Sequence, residues 1–207
     1  MVSSSSSRQW GGAILLLLLS ILHLPVAVAL TEFSAEVQYY NQQQKQLTIH
    51  GSLYVSDDVI REEFNRDGKV EVKITDLFRG TTSMLDLERK EYQRVAEVFT
   101  IPRNPAQFCA EMALLECGFK GYEEIEGVKT ERWGADLGFG SLSVDVVAWY
   151  DPSIQYPLRI KLGNGNVLQL SRVEKRRIPS SLLSVPFGFN EVDQLKHPQG
   201  DYFSVWP

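Results

Sequence analysis

Between Val147 and Val173 the chain reads VAWYDPSIQYPLRIKLGNGNVLQLSRV, three apolar-rich runs parted by Asp151-Pro152 and by Asn164-Gly165. Pairs of this kind reverse a chain, and short alternating runs between them are the mark of antiparallel strands. The stretch therefore predicts three strands, at 142–150, 158–162 and 167–173. It holds no histidine, no cysteine and a single acid before Glu174, so it reads as framework rather than as a place for chemistry.

The same grammar runs through most of the chain. Phe33, Ala35, Val37 and Tyr39 alternate with Ser34, Glu36 and Gln38, and Leu47, Ile49, Leu53 and Val55 alternate with Thr48, His50, Ser52 and Tyr54. A period of two places each set on one face of a strand. The turn Arg66-Asp67-Gly68 feeds a third strand at Val70, Val72 and Ile74; 83–87 and 92–99 are shorter strands on either side of ERKE, and 128–133 is another. Strand follows strand about every 8 to 15 residues, which favours an antiparallel sheet or barrel over alternating strand and helix units. In the run at 142–150, Leu142, Val144, Val146 and Ala148 share a face; Val147 and Trp149 make the opposite face apolar as well, as happens when something covers a strand's second side.

One helix stands out. Asn104 is placed to cap it, Pro105 suits its first position, Gln107 sits where a capping-box partner would, and Gly118 is placed to end it in a left-handed conformation. Phe108, Met112 and Leu115 fall on one face of it. A second short amphipathic piece is YEEIEG at 122–127.

The first 29 residues have the parts of a secretory signal: Arg8 as sole charge, the apolar run AILLLLLSILHL, and Ala27-Val28-Ala29 before a cleavage point at Leu30. The apolar run is short of the ~20 residues a membrane span requires. We therefore expect a signal peptide at 1–29, a single domain at 30–207, no transmembrane span in the mature chain, and a periplasmic or secreted location. Loss of Arg8 takes the net charge from −5 to −6, which disfavours nucleic acid as a partner. Export also means an oxidising compartment in which Cys109 and Cys117 could pair. Along one continuous helix they would stand about 12 Å apart, too far for a disulfide, so pairing requires the helix to break before Cys117.

The inventory of reactive groups is thin. His50 and His197 are the only histidines beyond the signal, no metal-binding spacing of histidine and cysteine occurs, and there is no G-x-S-x-G. Asp57-Asp58, Glu62-Glu63 and Glu123-Glu124 are adjacent carboxylates that point apart, not acid/base dyads. GFGS at 138–141 has no helix after it and reads as a turn. The expectation is no enzyme, no metal and no cofactor. What remains is apolar surface: a curved antiparallel sheet with a helix over its concave side makes a cavity for an apolar ligand. Its expected lining is Phe108, Met112, Leu115, Leu142, Val144, Val146, Ala148 and Trp149.

EIEGVKTERW, the strand ending VAWYDPSIQYPLRIKLGNGN, and LSRVEKRRIPSSLLSVPFGFNEV together resemble the C-terminal half of the bacterial periplasmic lipoprotein-carrier superfamily, the LolA/LppX-like proteins. The matching positions are Gly127 to Trp133, Trp149 to Pro152, Pro157-Leu158-Arg159, Gly163 to Gly165, and Ile178-Pro179 through Pro186-Phe187-Gly188-Phe189. KVEVKITDLFRGTTSMLDLERKEYQRV is similar to the strands of the family's first half, and the resemblance spans roughly 60–192. One clear helix stands here where those carriers have several. The resemblance implies a mainly β (α+β) fold, a curved antiparallel half-barrel with one or two helices over its concave face, that binds acyl chains, lipids or lipoproteins without chemistry. The alternative is a structural or interaction subunit of a cell-envelope assembly whose core is filled by its own side chains.

Overall fold

The computed structural model describes residues 31–42, 49–66, 68–96, 103–111, 116–139 and 142–195; the expected signal segment, His197 and the side chains of Met112, Leu115, Leu142 and Val144 lie outside the described residues. The alternating segments form twelve strands: β1 (Phe33–Asn41), β2 (Ile49–Val55), β3 (Val59–Arg66), β4 (Lys69–Asp76), β5 (Thr81–Asp86), β6 (Glu91–Val95), β7 (Glu116–Ile125), β8 (Val128–Phe139), β9 (Leu142–Asp151), β10 (Tyr156–Leu162), β11 (Asn166–Lys175) and β12 (Asn190–Glu191). One helix, α1 (Pro105–Glu111), lies between β6 and β7.

The strands make one large, open, curved sheet in the order β12-β6-β5-β4-β3-β2-β1-β11-β10-β9-β8-β7. It consists of two antiparallel meanders joined where β1 pairs with β11, Val37 opposite Leu170 and Tyr39 opposite Leu168. The turns follow residue chemistry. Glu126 and Gly127 both have positive φ between β7 and β8, the backbone a two-residue hairpin needs to match the twist of its strands. Between β9 and β10, the Asp151 carboxylate accepts the Ser153 amide at 2.8 Å, and the Asn164 side chain does the same for Asn166 at 3.0 Å between β10 and β11.

The core changes sides within the sheet. On the face carrying Phe33, the side chains of β1, β2, β10 and β11 bury Phe33, Val37, Leu53, Tyr156, Leu168 and Leu170 together, each contributing about 1.5 to 3 kcal/mol over exposure. Phe33 and Tyr156 meet edge to face at 5.5 Å. On β4 and β5 it is the opposite face that is apolar, with Val72, Ile74 and Leu85 buried under Val185 and Phe189. Those last two belong to the C-terminal tail, which crosses that face. Arg61 Nη1 donates to the Leu182 carbonyl at 3.1 Å, and β12 adds in parallel to β6. The proline- and glycine-rich tail is thus the cover that lets β4 and β5 bury their second side.

Two expectations are corrected. The helix expected to reach Gly118 is described only to Glu111, and from Glu116 to Ile125 the chain is strand, including Gly118 and most of YEEIEG. A bulge between Phe119 and Gly121 breaks the alternation of this strand, which hid it from a period-two reading. The segment before Arg66 also forms a strand of its own, β3. Its alternation was obscured because Glu62 occupies an inward position between Ile60 and Phe64, next to Leu53.

Candidate apolar binding face

Register decides which side chains share the Phe33 face. Phe119, Trp133, Ala148, Ile160, Leu168 and Tyr39 lie in one cross-strand row from β7 to β1, and Cys117, Ala135, Val146 and Leu162 form the parallel row beside it. The row is buried at its centre, at Ile160 and Leu168, and opens toward the sheet edge, where Phe119 is 46% exposed. Phe119 packs edge to face on Trp133 at 5.7 Å and on Tyr122 at 5.1 Å. Tyr122 is 63% exposed and carries the Lys129 ammonium over its ring at 4.4 Å.

The helix is fastened to this face. Cys109 of α1 and Cys117 of β7 form a disulfide with S–S 2.01 Å and Cα atoms 5.2 Å apart. Because Cys117 stands in β7, the separation a continuous helix would impose does not apply. At the other end of the segment, Arg103 donates from Nη1 to the Asp57 carbonyl at 2.6 Å and from Nη2 to the Ser56 carbonyl, both in the β2–β3 turn. Asn104 caps α1, its Oδ1 accepting from the amides of Ala106 at 3.0 Å and Gln107 at 3.2 Å. The Gln107 side chain does not close a capping box; it donates to Glu111 at 2.8 Å. The segment from Arg103 to Cys117 thus starts at the end of the sheet holding the β2–β3 turn and finishes at the opposite end, where β7 begins. Phe108 is half-buried within it.

Of the expected lining, Val146 and Ala148 stand on this face and Phe108 on the segment fastened to it. Trp149 points to the other face, where its indole N–H donates to Glu123 at 2.8 Å and Arg159 lies 5.6 Å from its ring. Leu142 and Val144 belong to β9. Residues that sequence reasoning passed over include Phe119, concealed by the bulge, and Arg103, whose partners are backbone carbonyls 46 and 47 positions away.

A polar group interrupts the apolar wall. Glu62 and Lys73 pair at 3.3 Å with side chains only 12% and 11% exposed, and the Tyr39 hydroxyl donates to Glu62 at 3.5 Å. Burial raises the Tyr39 phenol well above its ordinary range, and the Glu62 charge adds to that. Burial likewise raises the Tyr156 phenol, against a downward pull from Arg103. His50 is exposed on β2. Among the described residues no three histidine, cysteine or carboxylate side chains are grouped to hold a metal ion, and no helix is long and apolar enough to cross a membrane.

No protein-family model matches the chain, and no curated protein does. Solved structures do. An uncharacterized conserved protein from Thermus thermophilus is similar at TM-score 0.52 and 10% identity, covering 78% of this chain and 89% of that one. PNGF-II is similar at TM-score 0.50 and 11% identity over 79% of this chain, which spans only 31% of it. A LolA superfamily protein from Nitrosomonas europaea matches at TM-score 0.39 and 10% identity, with 74% and 90% covered. At these identities the likeness is one of fold.

Proposed function

We propose that the protein is an exported, non-enzymatic carrier that holds an apolar or lipidic ligand, an acyl chain in the first place, between the Phe33 face and α1. The observation that carries this reading is the row from Leu168 through Ala148 and Trp133 to Phe119, apolar throughout and open at the edge over which α1 is tied. Each CH₂ withdrawn from water there contributes about 0.8 kcal/mol, and the thin inventory of reactive groups leaves binding as the task. The signal-like residues 1–29 support a periplasmic or secreted location, where a lipoprotein or an envelope protein could be donor or recipient.

A fluorescent fatty-acid probe should bind the mature chain and be displaced by lipid extract. Ala148→Trp, which fills the wall, should weaken the probe more than about tenfold, whereas Val147→Trp on the opposite face of β9 should leave its affinity unchanged. A probe that fails to bind, or that responds equally to both substitutions, rules the reading out.

The second reading, an interaction subunit of an envelope assembly, draws on a different observation. Phe33, Tyr156, Leu158, Leu168 and Leu170 fill the centre of this face with one another, while Phe119, Tyr122 and Phe187 stand exposed. Native extraction that yields the protein in a stable complex and free of lipid favours it.

A further inference from the structure

Arg103 has the least usual surroundings of any cation among the described residues. Its two terminal nitrogens donate to the neutral carbonyls of Asp57 and Ser56, its Nε–H is buried without an acceptor, and no described carboxylate pairs with it within ion-pair distance. Burial lowers the guanidinium below its ordinary pKa, and Tyr156, Asp57 and Asp58 only offset this. A half-buried cation whose Nε–H is buried without an acceptor, and which no described carboxylate meets in an ion pair, is an arrangement that an incoming anion relieves. Asp57 and Asp58 are exposed to water, whose high dielectric weakens their repulsion of such an anion.

Nε–H and the neighbouring terminal N–H form the side of a guanidinium that takes an oxyanion with two parallel hydrogen bonds. Tyr156 packs on Phe33, which stands opposite Val55 at the end of the sheet where Arg103 meets Ser56 and Asp57. It also marks where the apolar face begins: Ile160, beside Ala148 in the row, follows four residues along β10, about 13 Å away. That is the reach of a chain of roughly a dozen carbons.

We propose that Arg103 is the polar anchor of the site and receives the oxyanion headgroup of a single-chain amphiphile whose acyl chain reaches the open part of the row at Ala148 and Trp133. The headgroup takes the Nε–H and replaces the Ser56 carbonyl on Nη2. This rests on the carrier reading above and narrows it to anionic ligands.

Calorimetry with dodecanoate, methyl dodecanoate and dodecyl phosphate tests it on the mature chain, on Arg103→Met and on Arg103→Lys. Dodecanoate should bind the wild type at least about tenfold tighter than its ester, as a charge-assisted hydrogen bond implies. Arg103→Met should bring the acid down to the ester without moving the ester, and Arg103→Lys should restore part of the difference. Dodecyl phosphate behaving like the acid marks an oxyanion site; dodecyl phosphate behaving like the ester marks a carboxylate site. Equal binding of acid and ester to the wild type, or an equal loss of both in Arg103→Met, overturns the anchor and leaves the carrier standing. If none of the three binds, both fall.

Discussion

Gly51 shows how one missing side chain holds two strands in register. It sits opposite Phe64 in the β2–β3 pair, and a Cβ built on it meets the Glu63 carbonyl oxygen far inside contact distance and the Phe64 ring at 2.6 and 2.9 Å, where real Cβ atoms essentially never come under 3.0 Å. Ordinarily an alanine would stabilise a strand over glycine by about 0.5 to 1 kcal/mol through the unfolded chain. Here the ring could turn aside but the carbonyl cannot, since it belongs to the β3 backbone. Overpacking of this kind costs about 1 to 3 kcal/mol, and a clash with backbone belongs at the upper end. Gly51→Ala should therefore lower stability by about 2 kcal/mol net, or Tm by roughly 4 to 8 °C for a chain of this size. Urea unfolding followed by tryptophan fluorescence should show a lower midpoint with unchanged slope. Adding Phe64→Leu should recover only the ring's share. A Gly51→Ala protein as stable as the wild type would refute the reasoning, because it would mean that β3 yields freely at this point.

Glu62→Ala removes the partner of Lys73 and the acceptor of the Tyr39 hydroxyl and should cost about 1 to 3 kcal/mol, whereas Glu62→Leu combined with Lys73→Met should come close to wild type; chemical denaturation of the three proteins checks the order. Tyr39 is raised by burial, so the folded state holds its proton above the unfolded phenol's ordinary value near 10.0. Stability is then full below pH 10 and falls as pH rises through the folded value, and Tyr39→Phe should flatten that decline when unfolding is followed against pH. Replacing Cys109 and Cys117 by serine removes a loop closure of nine residues, worth about 2.5 kcal/mol on the chain-entropy view. Hydrogen exchange should locate the effect at α1, beginning with the Phe108 amide that bonds to Asn104, and leave the β1–β2 amides protected.

Alternation made β1, β2 and the β9–β10–β11 unit legible, because a residue pattern of period two and a turn pair such as Asn164-Gly165 act locally. The Asn104 cap was legible for the same reason. What escaped had partners far along the chain. Glu62 breaks the pattern of β3 and is tolerated through Lys73 and Tyr39. The strand at 116–125 carries an extra residue at its bulge. Val72 and Leu85 gain their cover from a tail that begins about a hundred residues later.

The sequence by itself determined that the chain is a succession of antiparallel strands with one capped helix, since those preferences are satisfied within a few residues. It also determined how few reactive groups there are. Only the tertiary structure decided which face of each strand is inside. Pairing β1 with β11 aligns Val37 and Tyr39 with Leu170 and Leu168, and through them with Ile160, Ala148 and Trp133, while Trp149 is turned to the other side by the alternation that brings Ala148 in. It decided too that Arg103 and Cys117 fasten one segment at both ends. The reason is physical: a strand's two faces are equivalent until a partner covers one, and the partner is chosen by register and topology across the whole sheet.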